Sequence, residues 1–162
     1  MAAAGETVRA AHASEAARVA QVVRASFAEY RGILDPPSGA LALDARAVRG
    51  LMELGSILAC ESEDRIVACV FHRVHAEHVY LGRLAVLPAF RGRGLGARLV
   101  AEVEARAVAA GRHRVRVGVR LALPRNRAFF EGLGYREVGL DAHEGMTVPT
   151  FAWLEKRIGS GA

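Results

Sequence analysis

The sequence predicts one mixed α/β domain, and three observations carry that prediction. The chain has 162 residues, 52% of them hydrophobic and 24% charged, which is enough for one hydrophobic core and too little for two. Stretches with apolar residues three and four apart are interleaved with stretches of strand character, so helices and strands alternate along the chain. No repeat, low-complexity run or linker breaks the sequence, so 1–162 reads as one unit with a core at about 6–158 and short flexible ends.

Taken in order, "TVRAA" (Thr7 to Ala11) reads as a first strand. Ser14 can cap a helix reaching about Glu29, with Ala17, Val19, Ala20, Val23 and Phe27 as its apolar stripe. "YRGILDPPSGALALD" follows as an ordered loop, marked by Pro36, Pro37 and Gly39. Asp44 can cap a second helix, "ARAVRGLMEL", which Gly55 ends. "SILACES" and "RIVACVFHRV" are strands joined at Glu63–Asp64 as a hairpin, and "HVYLGRLAV" is a third strand stopped by Pro88. The helix from Gly94 to Ala110 carries Leu95, Leu99, Val103 and Ala107 on one face, pairs Glu102 with Arg106 on the other, and stops at Gly111. "RHRVRVGVRLAL" alternates strictly, with Val115, Val117, Val119 and Leu121 on one face. A short helix, "NRAFFEGL", follows Pro124 and ends at Gly134, and "YREVGL" and "TFAWLEKRI" are strands that pair across "DAHEGMTVP". The order is β-α-α-β-β-β-α-β-α-β-β.

The formal net charge is +5 and the pI about 10.0, with Lys156 the only lysine. That balance favours an anionic partner, and a nucleotide, a nucleic acid and an acidic membrane surface all qualify. The opening "MAAAGETVRAAHASEAARVA" carries early charges and no continuous apolar core, so it is neither a signal peptide nor a membrane span. A cytoplasmic protein with no membrane partner is the expectation. Cys60 and Cys69 lie in neighbouring strands and could pair, but their apolar flanks are those of reduced core residues.

The stretch "RGRGLGA" (Arg91 to Ala97) stands between a strand and a helix. Glycines there let several N–H groups converge on one anion at the positive end of a helix, which suits a phosphate or pyrophosphate. The blander reading is a sharp strand-to-helix turn. Gly92, Gly94 and Ala97 also fit a loose dinucleotide fingerprint, but the loop is mid-chain and the next strand is basic where an acidic ribose ligand belongs. No Gly-Lys-Ser/Thr follows, which excludes the Walker type.

Arg91, Gly94 and Gly96 fill the pattern Arg-x-x-Gly-x-Gly/Ala directly after a strand ending "LAVLP". "LGRLAVLPAFRGRGLGARLV" resembles the main acyl-CoA-binding motif of the GNAT superfamily of N-acetyltransferases. "NRAFFEGLGYREVG" resembles its second motif, and "TFAWLEKRI" the strand that closes its sheet.

The resemblance implies a mostly antiparallel sheet with splayed central strands, flanked by about four helices, and acetyl-CoA as acyl donor. It implies that backbone groups of Leu84, Ala85 and Val86 hold pantetheine. The N–H groups of Arg91, Gly92, Arg93, Gly94, Leu95, Gly96 and Ala97 would hold the pyrophosphate. Asn126 would hold the pantetheine side, and Phe129 and Phe130 would line the thioester channel. Arg98, Arg116 and Arg120 could approach the ADP phosphates. The implied reaction moves acetyl to the primary amine of a small molecule or peptide, and the carbonyl oxygen would be met by a backbone N–H near Val86. Family members are often dimers, so a homodimer is expected.

The sequence departs from the family at the position of the tyrosine that protonates the leaving thiolate, where Phe130 stands and cannot donate. The third strand lacks the carboxylate that some members use as a base; Tyr80 is its closest counterpart, with His78 two residues earlier. Glu29, Tyr30, Asp35, His143 and Glu144 stand in the loops that would surround the acceptor. Tyr80 and His143 are the catalytic candidates, and Tyr30, Asp35 and Glu144 the substrate-binding ones. His72, His75 and His78 are scattered over both faces with no cysteine joining them, so no metal is expected. Two rivals remain: an acyl-CoA-binding sensor of the same fold, favoured by Phe130, and a nucleic-acid-binding module. Against the second, only 6% of residues are aromatic, few for base stacking.

Overall fold

Seven strands and four helices follow one another in the expected order in the structure, a computed structural model that describes residues 5–159. The expected flexible ends, 1–4 and 160–162, lie outside the described residues. Strand β1 (Thr7–Ala10) leads to α1 (Ala16–Phe27) and α2 (Ala45–Leu54). Strands β2 (Ser56–Ser62), β3 (Arg65–Val74) and β4 (Val79–Val86) come next, then α3 (Leu95–Ala109). The chain ends with β5 (Arg114–Arg120), α4 (Pro124–Gly132), β6 (Arg136–Asp141) and β7 (Phe151–Arg157). The sheet order is β1-β2-β3-β4-β5-β7-β6, and only β4 and β5 run parallel.

Local chemistry explains the boundaries. Asp44 Oδ1 accepts the Ala47 N–H at 2.8 Å and caps α2. Glu63 and Asp64 both have positive φ, the geometry of a tight two-residue hairpin. Ser14 does not cap α1. A single 3-10 turn over Ala13–Glu15 comes first, held by Glu15, whose carboxylate takes the His12 N–H and the Arg9 guanidinium. Ala16 rather than Ala17 is therefore buried on α1. Strand β5 ends at Arg120, one residue before Leu121, which leaves the valine face and is 42% exposed.

Two cores lie on opposite sides of the sheet. One joins Val79, Leu81, Val115, Val117 and Val119 to Leu95, Leu99, Val103 and Ala107 of α3. The other joins Ile57, Cys69 and Phe71 to α1 and α2. Cys60 belongs to the first core and Cys69 to the second; both are free, and the sheet stands between them. None of the described helices is long and apolar enough to cross a membrane.

The feature that matters for function is the short parallel ladder. Strands β4 and β5 pair only over Val79–Leu81 and Val115–Val117. Beyond that point a bulge interrupts the β3–β4 register between Cys69 and Phe71, with Arg83 at φ 53. The bulge bends β4 away from β5, so the two strands splay and the β5-facing edge of β4 beyond Leu81 has no strand partner.

Candidate active site

The splay opens into a cavity of about 720 Å³. Leu84, Ala85 and Val86 form one wall, Gly92 and Gly94–Ala97 the head of α3, Asn126 and Phe129 the α4 side, and Tyr30 the far rim. Gly92 (φ 79) and Gly94 (φ 78) hold the left-handed conformation that other residues rarely adopt, and a Cβ on either would meet no atom within 4 Å. Among the described residues no backbone carbonyl accepts from the N–H groups of Gly92 to Ala97. Six donors are thus left free at a helix N-terminus, the arrangement that attracts a polyphosphate. The Arg91 N–H is not one of them, because the Pro88 carbonyl takes it at 3.3 Å.

The two arginines of the loop are already engaged. Arg91 donates to the carbonyls of Val86 (3.2 Å) and Ser26 (2.9 Å) and pairs with Glu29. Arg93 stacks over Phe90 and reaches Glu6 at 3.7 Å, so it is not on the cavity wall. Gly96 lets Phe129 cross from α4, since an alanine Cβ there would lie 3.3 Å from the Phe129 ring.

Phe130 does not line the channel: it is buried at 6% exposure and packs edge-on against Phe129 and Tyr135. The arginine face of β5 does not meet a ligand at the α3 terminus either. Strand alternation turns Val115, Val117 and Val119 toward α3, which puts Arg116 on the other side, where it binds Glu155 at 2.8 Å. Arg98 donates to the Glu6 carbonyl.

On the α1 side of the sheet, a run of edge-to-face aromatic contacts crosses the splay point: Phe71 with Tyr80, Tyr80 with Trp153, Trp153 with Phe151, Phe151 with His143. Glycines make the run possible. The Tyr80 hydroxyl lies 2.6 Å from where a Gly82 Cβ would be, and Phe151 and Trp153 lie 3.4 and 3.5 Å from that of Gly118. Burial raises the Tyr80 phenol above its ordinary value, so it stays protonated near neutral pH.

His143 stands at the end of this run, its Nδ1 against the Thr150 hydroxyl. Burial and then Arg120 lower its pKa, against a weaker pull from Asp141, so the ring is neutral near pH 7. Tyr30 is raised by burial, with Glu29 and Asn126 as its polar neighbours. Asp35 and Glu144 are exposed on the loops after α1 and after β6, away from the cavity wall. The sequence reading missed Trp153, Phe151 and Arg83, which only strand register and the bulge bring to the site. His75 stacks on His78 while His72 is buried in β3, and among the described residues no three potential ligands converge on a metal position.

A model of the acetyltransferase (GNAT) family matches residues 21–135. The chain belongs to the GNAT family. The family's acyl donor is acetyl-CoA, and solved GNAT structures share the fold over nearly the whole chain. The PaiA N-acetyltransferase of Thermoplasma acidophilum, in complex with coenzyme A, is 18% identical with a TM-score of 0.73, covering 94% of this chain and 99% of its own. The ribosomal-protein-S18-alanine N-acetyltransferase of Escherichia coli is 15% identical with a TM-score of 0.76, covering 97% and 98%. The putative acetyltransferase YncA of Salmonella typhimurium, with its cofactor acetyl-CoA, is 15% identical with a TM-score of 0.71, covering 98% and 97%. No curated protein matches this GNAT sequence.

Proposed function

We propose that this GNAT protein is an N-acetyltransferase that moves acetyl from acetyl-CoA to the primary amine of a small molecule or peptide. One observation carries the reading: five of the six residues with free N–H donors and an unpaired strand edge line the same cavity. The donors suit a pyrophosphate and the strand edge suits the amides of a pantetheine arm. Neutral Asn126 and the Phe129 ring complete a channel for a neutral thioester. The complexes of the PaiA enzyme and YncA with coenzyme A and acetyl-CoA support the same choice of donor.

The acceptor enters from the α1 side, over Tyr80 and Trp153. Its nitrogen attacks the thioester carbon, the N–C bond forms as the C–S bond breaks, and the carbonyl oxygen is met by a backbone N–H near Val86. The nitrogen's proton passes to solvent or to neutral His143, whose free Nε2 can accept it. The thiolate leaves without help from position 130, because Phe130 has no proton to give. A cytoplasmic protein and a homodimer complete the proposal.

The test is calorimetry with acetyl-CoA, CoA and a short duplex at physiological salt, followed by thiol release over an amine panel. Binding of acetyl-CoA with release of thiol is expected. Tight binding with no amine turned over would favour the second reading, an acyl-CoA sensor, which the core position of Phe130 keeps open. Duplex binding without CoA binding would overturn both.

A further inference from the structure

Two arginines converge on the acceptor side of the splay without a carboxylate of their own. Arg83 sits at the β4 bulge, and its guanidinium lies 3.1 Å from where a Gly39 Cβ would be, so it lies against the loop between α1 and α2. Arg120 ends β5, opposite Phe151 of β7 and past the last β4–β5 pair. Arg114 and Arg116, earlier on the same strand as Arg120, both pair with Glu155. Among the described residues Arg83 and Arg120 pair with none. The charge of Asp35, from the loop between α1 and α2, acts on Arg120, and Arg120 acts on His143, from the loop between β6 and β7. One patch thus gathers Arg83, Arg120, Asp35 and His143 beside the Tyr80–Trp153–Phe151 floor.

We infer that the acceptor is an amino acid or a compound built like one, whose carboxylate is held by Arg83 and Arg120 while its amine faces the thioester. This rests on the acetyltransferase reading above. Among the described residues neither Asp35 nor Asp141, the carboxylates that act on this patch, forms an ion pair with Arg83 or Arg120, so both guanidinium groups are free to take an anion. Burial, and secondarily Arg83, push the Arg120 guanidinium below its ordinary value; an anion between the two cations offsets their mutual repulsion. Guanidinium forks suit the planar carboxylate. Asp35 can hold the ammonium before it loses its proton. The aromatic floor takes an apolar side chain, so leucine-like and phenylalanine-like acceptors fit better than short or acidic ones.

The experiment compares acceptors that differ only at the carboxylate, L-leucine against L-leucinamide and L-phenylalanine against L-phenylalaninamide, by thiol release. The amide's amine is the less basic, hence more available, so a preference for the acid reports recognition rather than reactivity. The acids are expected to have kcat/KM at least about tenfold above the amides. Arg83→Gln and Arg120→Gln should each cut the acid's value by about 10- to 100-fold, the range of one charged hydrogen bond. They should change the amide by less than about twofold and leave the acetyl-CoA KM in place. Equal turnover of acid and amide by the unaltered protein would overturn the inference, as would variants that lower both equally. If acetyl-CoA binds but no amine is acetylated, the transfer reading has failed. The anion site is then judged by Trp153 fluorescence, the single tryptophan of the chain: saturation by leucine and not leucinamide supports it, and no response to leucine overturns it.

Discussion

Arg91 donates to the carbonyl of Ser26 at 2.9 Å and to that of Val86 at 3.2 Å, so one guanidinium fastens the glycine loop to both α1 and β4. Its third partner, Glu29, is half exposed and screened, and such surface pairs contribute little. The two carbonyl bonds should therefore dominate. Arg91→Ala is expected to weaken acetyl-CoA binding about tenfold by calorimetry, a loss of about 1.4 kcal/mol, while Glu29→Gln changes it less than about twofold. Equal losses would show that the ion pair positions the loop.

Gly94 and Gly96 should respond differently to alanine and valine. Gly94→Val forces a β-branched residue to φ 78, a strain of about 1–2 kcal/mol, and points a side chain into the space before the free amides. Loss of acetyl-CoA binding with a lowered melting temperature is expected. Gly96→Ala sits in ordinary helix, and its Cβ would meet the Phe129 ring at 3.3 Å and a Leu84 methyl at 3.9 Å. The melting temperature should stay within a few degrees while the acetyl-CoA KM rises as the ring shifts into the channel.

Glu104 takes the hydroxyl hydrogen of fully buried Tyr135 at 3.0 Å and the Lys156 ammonium at 2.9 Å. Lys156→Met strips the cation from a largely buried carboxylate, which should cost about 1–3 kcal/mol in urea denaturation. Arg106→Ala breaks only the exposed pair with Glu102 and should cost less than about 0.5 kcal/mol.

His72 is 7% exposed, its Nδ1 has no partner, and burial followed by the Arg106 charge lowers its pKa. The unfolded chain then binds the proton more readily than the folded one, so stability is full above the ordinary imidazole value of 6.5 and falls as pH drops below it. His72→Leu should flatten that part of the stability-versus-pH curve measured by urea titration between pH 7 and 5. An unchanged slope would assign it to other groups.

Most of the fold was legible because its signals are local. Asp44, Gly55, the Glu63–Asp64 turn and the α3 stripe each act within a few residues, and all stand where the pattern put them. The glycine loop was legible for the same reason. Phe130 and the β5 arginines were misplaced because direction depends on neighbours: α4 rotates Phe130 into the core, and α3 claims the valine face. The approach of Arg83 to Arg120 had no sequence signal at all, since it needs the bulge in one strand and the register of another.

The placement of the two cysteines has a practical consequence at the bench. They are the chain's only thiols, and each is sealed in its own core, with Cys69 pushed up to about 12 and Cys60 raised, in both cases chiefly by burial. Thiolate is the form that reacts with disulfide reagents. The folded protein should therefore be nearly colourless toward such a reagent, and yellow colour in a transfer assay would count coenzyme released rather than protein consumed.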